Sequence, residues 1–215
     1  MDCLISLALV SSESSSNCLP LFEENNEPIL ELIQARHPCV AAGLERLGRN
    51  SFIPNDTVLT PDVGRCMLLT GPNMGGKSTL LRQTCLAVIV AQLGCRVQAE
   101  SYRGTIVDAI FTRVGASDRI LEGQSTFFVE LSETANILRN ATKNSLVILD
   151  ELGRGTSTFD GTAIAHAVVE KFLEIGCLTL FATHYHSLVR ELGKEPGVSL
   201  AHMVCVTDND EDQKC

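Results

Sequence analysis

Thr70-Gly71-Pro72-Asn73-Met74-Gly75-Gly76-Lys77-Ser78-Thr79 sets three glycines around a proline, an asparagine and a methionine, then closes on Lys-Ser-Thr. The spacing satisfies G-x-x-x-x-G-K-[ST] at Gly71, Gly76, Lys77 and Ser78. Before it, "RCMLLT" is a short apolar run of buried-strand type. After it, "KSTLLRQTCLAVIVAQLG" has helical length and ends on Gly94, which can supply a left-handed C-terminal cap. A strand, a glycine loop and a helix in that order predict a phosphate cradle. Glycines let backbone N–H groups converge on phosphate oxygens, and the helix start adds its positive dipole end. Lys77 can then reach the β- and γ-phosphates of a nucleotide, and the Ser78 hydroxyl can bind Mg²⁺.

Outward from the loop, short β-rich runs alternate with longer helical ones, which predicts an α/β domain with a mostly parallel central sheet flanked by helices. "QAESYRGTIVDAIFTRVG" predicts two strands. Between Phe127 and Ala141, Phe128, Leu131, Ala135 and Leu138 recur at helical spacing and predict an amphipathic helix. "NSLVILDE" reads as a central strand covered on both faces. "FDGTAIAHAVVEKFLEIG" is a helix stopped at Gly176, "CLTLFATH" another buried strand, and "YHSLVRELG" a short helix.

The carboxyl ends of those strands carry the remaining chemistry. Asp150 is placed to hold Mg²⁺, and Glu151 to orient or deprotonate an attacking water. His184, closing "ATH", reaches the same sheet edge, where it can hydrogen-bond a γ-phosphate or the water. His184 and His186 lack the Cys or carboxylate companions of a metal pair. The turn Gly123-Gln124-Ser125-Thr126 has two readings: an N-cap, with Ser125 or Thr126 accepting from backbone N–H groups, or a phosphate contact at a helix N-terminus.

Composition bounds these readings. With 215 residues and 45% hydrophobic content, the chain can bury one substantial core. Its formal net charge of -9 argues against direct gripping of nucleic acid, which needs clustered Lys and Arg. Nine cysteines without a C-x-x-C pair, most inside apolar runs, read as small core residues in a reducing compartment. "MDCLISLALV" has an acid at Asp2 and no basic flank, so it reads as the end of an amphipathic helix rather than a leader. "SSESSSNCLPLFEENNEP" has the composition of an unstructured linker, and "DNDEDQKC" of a frayed acidic tail. No run reaches the ~20 apolar residues of a membrane span.

Taken together, "TGPNMGGKSTLLRQ", "FTRVGASDRILEGQSTFFVELSETANIL", "LVILDELGRGTSTFDGTAIA" and "LFATHYHSLV" resemble the ATPase domain of the MutS family of DNA mismatch-repair proteins. "RVGASDRI", "STFFVELSETA" and "THYHSL" look most like the subfamily of the sixth eukaryotic MutS homologue. The resemblance implies a P-loop NTPase of ABC type, binding ATP and Mg²⁺, in a nuclear heterodimer with the second MutS homologue. It implies a γ-phosphate contact for Asn73, with Pro72, Met74, Gly75 and Thr79 shaping the same loop, and adenine packing for Phe52 and Ile53. Gly123, Gln124, Ser125 and Thr126 match the signature turn that completes the opposite subunit's site. The implied division is a lever-helix end at 1–12, a linker at 13–33, an ATPase domain at 34–207 lacking its last strands and dimer element, and a tail at 208–215. Mismatched double-stranded DNA would be met by mismatch-binding and clamp domains that this sequence does not contain. Two other readings stay open: a non-catalytic module docking on a partner ATPase, and a generic ABC-type ATPase, which the short "EGQST" fits less well than LSGGQ would.

Overall fold

The computed structural model describes residues 2–12, 17–48, 52–115, 126–153 and 155–204. Its centre is a five-stranded sheet in the order β11-β5-β10-β9-β8, formed by Val198–His202, Cys66–Thr70, Leu178–Ala182, Leu146–Asp150 and Ile110–Arg113, with every neighbouring pair parallel. Successive strands are linked by α4 (Thr126–Asn140), α5 (Thr158–Ile175) and α6 (His186–Leu192), the helical crossovers that parallel neighbours require.

Both sheet faces are covered, so the central strands read as unbroken apolar runs. On one face Met67, Leu69, Ile148 and Leu180 pack with Leu81 and Val88 of α3 (Lys77–Gln92). On the other, Leu68, Val147, Leu149 and Phe181 pack with Val169 and Phe172 of α5 and Leu188 of α6. Each fully buried Leu or Phe contributes roughly 1.5–3 kcal/mol, so this double layer dominates the fold's stability. Gly176 takes φ 77° and donates its N–H to Phe172 O, ending α5 where the sequence places its stop; Gly94, at φ 80°, follows α3.

A second sheet, in the order β2-β7-β3-β4, packs against the α3 side and comprises Leu21–Phe22, Ser101–Gly104, Leu30–Ala35 and Asn55–Leu59. Its β3 pairs are antiparallel. Arg103 fastens it, donating to both Glu31 oxygens at 2.8 and 2.5 Å and to Glu23 at 3.0 Å. Buried Thr57 of β4 meets Thr84 of α3 at 3.4 Å, so the two sheets share that helix. The remaining elements are α1 (Asp2–Ser12), α2 (Pro38–Arg46) and a two-residue ladder of β1 (Asn17–Cys18) with β6 (Val97–Gln98).

Four expectations shift. The supposed linker supplies β1 and β2, because partner strands complete the ladders that its own composition could not stabilise. "QAESYRGTIVDAIFTRVG" divides between the two large sheets, β7 in one and β8 in the other. Helix α1 forms, but its apolar residues do not gather on one face as an amphipathic helix requires, and Ile5 and Leu9 are exposed. The buried face of α4 is Val129, Glu130, Thr134 and Ile137, not the stripe through Phe128, which is 60% exposed. Two polar residues turn inward there because they find hydrogen bonds.

Candidate nucleotide site at the carboxyl edge of the parallel sheet

Register fixes the site. Ala182 lies opposite both Leu69 of β5 and Asp150 of β9, so three carboxyl-terminal loops emerge side by side. That is the edge at which open parallel sheets bind ligands.

The first loop leaves β5 at Gly71, whose φ of 141° and whose packing on Met203 both demand glycine; a Cβ would lie 2.8 Å from Met203 Cβ and O. Met74, at φ 67°, is a non-glycine residue in the left-handed region and is fully exposed, as is much of Pro72 and Asn73 beside it. Backbone strain of this kind costs on the order of 1–3 kcal/mol and gathers at ligand clamps. Gly75 N–H donates to Pro72 O at 3.1 Å, and Gly76 opens α3 with no side chain capping it. The first N–H groups of α3 therefore keep their donors for another acceptor. Lys77, only 5% exposed, folds back so that Nζ donates to Gly71 O at 2.8 Å and Pro72 O at 3.1 Å. Thr79 follows on the first turn.

The second loop begins where β9 ends. Ser78 Oγ donates to Asp150 Oδ2 at 2.6 Å, while Asp150 Oδ1 is buried without a hydrogen-bond partner. A buried carboxylate oxygen with no donor, next to a hydroxyl, fits a hard cation that takes oxygen ligands. Among the described residues no group of three or more His, Cys, Asp or Glu side chains gathers as a metal cluster. Glu151 adopts φ 58°, held by its N–H donating to Ala182 O at 2.9 Å. Its Oε1 lies 2.6 Å from His184 Nε2, so the third loop delivers the histidine to the glutamate. The structure thus brings Lys77, Ser78, Asp150, Glu151 and His184 to one edge, with His184 engaged by Glu151 rather than grouped with His186.

Four further residues, to which the motifs assign no role, complete the arrangement. Gly153 N–H donates to Glu130 Oε1 at 2.7 Å, Tyr185 Oη donates to Gly153 O at 2.9 Å, and Gly161 of α5 leaves no room for a Cβ beside Gly153. Glu130 carries no sequence signal of its own, because its burial depends on the distant Gly153 N–H that it accepts from; Tyr185 carries none beyond adjacency to His184.

Phe52 and Ile53 lie at the entry to β4, where Arg36 Nη1 donates to Phe52 O at 3.0 Å and Ile53 is exposed. Thr126 opens α4 with its side chain exposed; Gly123, Gln124 and Ser125 lie outside the described residues. No described helix is long and apolar enough to cross a membrane.

Comparison with known proteins places this geometry. The family model described as MutS domain V matches residues 67–214. The chain is 53% identical to the DNA mismatch repair protein Msh6 of Gallus gallus over 99% of its length, and 52% identical to that of Homo sapiens over 98%. It is 50% identical to the DNA mismatch repair protein MutS of Ruminiclostridium cellulolyticum over 99%. It spans 16% of the length of each of those Msh6 proteins and 24% of that MutS. A parallel α/β domain with this loop edge, matched over most of its length by that model, belongs to the MutS family.

Proposed function

We propose that this chain is the ATP-binding and ATP-hydrolysing module of a DNA mismatch-repair protein, a P-loop NTPase of ABC type. The observation that carries the reading is the Ser78–Asp150 hydrogen bond with Asp150 Oδ1 left unpartnered, one residue from Lys77 on one side and Glu151 on the other.

Lys77 gives up the carbonyls of Gly71 and Pro72 and donates to the β- and γ-phosphates, while the N–H groups of the loop and of the α3 start receive phosphate oxygens. Ser78 and Asp150 would hold Mg²⁺, which supplies charge neutralisation across the phosphates. Asn73 faces the γ-phosphate. Glu151 orients the attacking water and accepts its proton; the water oxygen bonds to the γ-phosphorus, the bond to the β–γ bridging oxygen breaks, and ADP and inorganic phosphate leave. His184 holds the Glu151 carboxyl at 2.6 Å in the aim that its backbone sets. Phe52 and Ile53 pack on adenine. Gly123, Gln124, Ser125 and Thr126 complete the site of a partner subunit.

The similarity to the Gallus gallus and Homo sapiens proteins supports the Msh6-like assignment, and with it a nuclear heterodimer with the second MutS homologue. Mismatched DNA is then met by other domains of a longer protein, in keeping with the net charge of -9 here.

The test is steady-state Mg-ATP hydrolysis by the chain, alone and with the partner's ATPase domain, with Glu151→Gln as control. Partner-stimulated turnover that vanishes in Glu151→Gln is expected. Background turnover throughout, with nucleotide still bound, would assign the chain to a non-catalytic module.

A further inference from the structure

We infer that Glu130 and Tyr185 are positioning residues that clamp the backbone N–H and carbonyl of Gly153 and thereby fix Glu151 in its left-handed conformation, tying α4 to the hydrolytic pair. The inference rests on the ATPase reading for its consequence, though not for its geometry.

Gly153 stands two residues after Glu151. Its N–H is taken by Glu130 of α4 at 2.7 Å, and its carbonyl by Tyr185, the N-cap position of α6, at 2.9 Å. Gly161 of α5 presses on it from a third side, where a Cβ would come within 2.5 Å of Gly153 O. Between these anchors Leu152 is buried in the core and Glu151 N–H is held by Ala182 O. A loop fixed at both ends has no freedom to relax the unfavourable φ of 58° at Glu151.

Glu130 is 4% exposed, an expensive place for a carboxyl that an apolar residue would fill more cheaply. Its Oε1 is spent on the loop, while the Thr134 hydroxyl donates to its main-chain oxygen one turn on. Helix α4 starts at Thr126, one turn before Glu130. A displacement of that helix start therefore reaches Gly153 through one side chain, and Glu151 through the two peptide bonds that flank Leu152.

Glu130→Ala, Glu130→Gln and Tyr185→Phe forms of the full chain, assayed with the partner's ATPase domain, test the clamp. The readouts are kcat and KM for ATP, amide exchange at Gly153, and the His184 imidazole resonances. Glu130→Ala should speed Gly153 exchange and lower kcat about tenfold, the worth of one lost hydrogen bond, with KM within about twofold. It should also shift the His184 resonances. Glu130→Gln keeps the accepting Oε1 and should behave as the parent, which separates positioning from charge or packing. Tyr185→Phe should lower kcat with KM held, and serves if Glu130→Ala does not fold. Unchanged Gly153 exchange in Glu130→Ala, unchanged kcat in Tyr185→Phe, or a Glu130→Gln form as slow as Glu130→Ala overturns the inference. A parent chain without turnover would instead overturn the ATPase reading, and exchange at Gly153 with the His184 resonances would still decide the clamp.

Discussion

Ser78 Oγ donates to Asp150 Oδ2 at 2.6 Å, joining the first turn of α3 to the last residue of β9 across the strand between them. Asp150→Asn should abolish the gain in nucleotide affinity on adding Mg²⁺, because the amide neither carries charge nor presents two acceptor oxygens. Fluorescent-nucleotide titration with and without Mg²⁺ checks this; an intact Mg²⁺ dependence would remove Asp150 from the cation site.

Lys77→Ala should weaken ATP binding by about ten- to a hundredfold, the range expected for losing hydrogen bonds to a charged group. It should leave the fold intact, since the hydrogen bonds it removes end on the loop carbonyls of Gly71 and Pro72, which water can satisfy. Calorimetric titration beside a thermal melt separates the two effects.

Gly161→Ala drives a methyl group into Gly153 O and Tyr185 Oη. Overpacking on this scale costs about 1–3 kcal/mol, so the denaturant midpoint should fall with the slope unchanged.

His37 caps α2 by accepting Val40 N–H on Nδ1. Burial, with Arg82 nearby, lowers its pKa below the usual histidine value, so below pH ~6.5 the unfolded chain takes up the proton first and stability falls as pH drops through that window. Urea midpoints should therefore decline from pH 7.5 to 5.5 more steeply in the parent than in His37→Asn, where an amide caps without titrating.

Burial pushes the Cys66 thiol up to about 12 and the Cys85 thiol to about 11. At pH 8 iodoacetamide should label exposed Cys39 while sparing Cys66 and Cys177, as peptide mapping would show.

The legible parts of the molecule were those written in local pattern. The Gly71–Ser78 loop, the β9 run to Asp150-Glu151 and the stops at Gly94 and Gly176 all carry their geometry in consecutive residues. What escaped is set by distant partners. β1 and β2 owe their existence to β6 and β7, and nothing in "NCLPLF" announces that. Helix α2 was not among the expected helices: Pro38 stands in its first turn behind the capping His37, but the helix is too short for its periodicity to speak clearly. β11 ends in a polar histidine and is half-covered, lacking the apolar run that marks β5, β9 and β10. The inward turn of Glu130 followed from a hydrogen bond to Gly153 that no periodicity encodes.

The back wall of the Gly71 loop is Met203, which follows β11, and Met203 N–H donates to Thr70 O at 2.8 Å. The loop's shape is therefore finished by residues made some 130 positions later in synthesis. During translation the Gly71 loop stays open at the back until β11 docks on β5, so its final shape waits on a strand synthesised long after the loop itself.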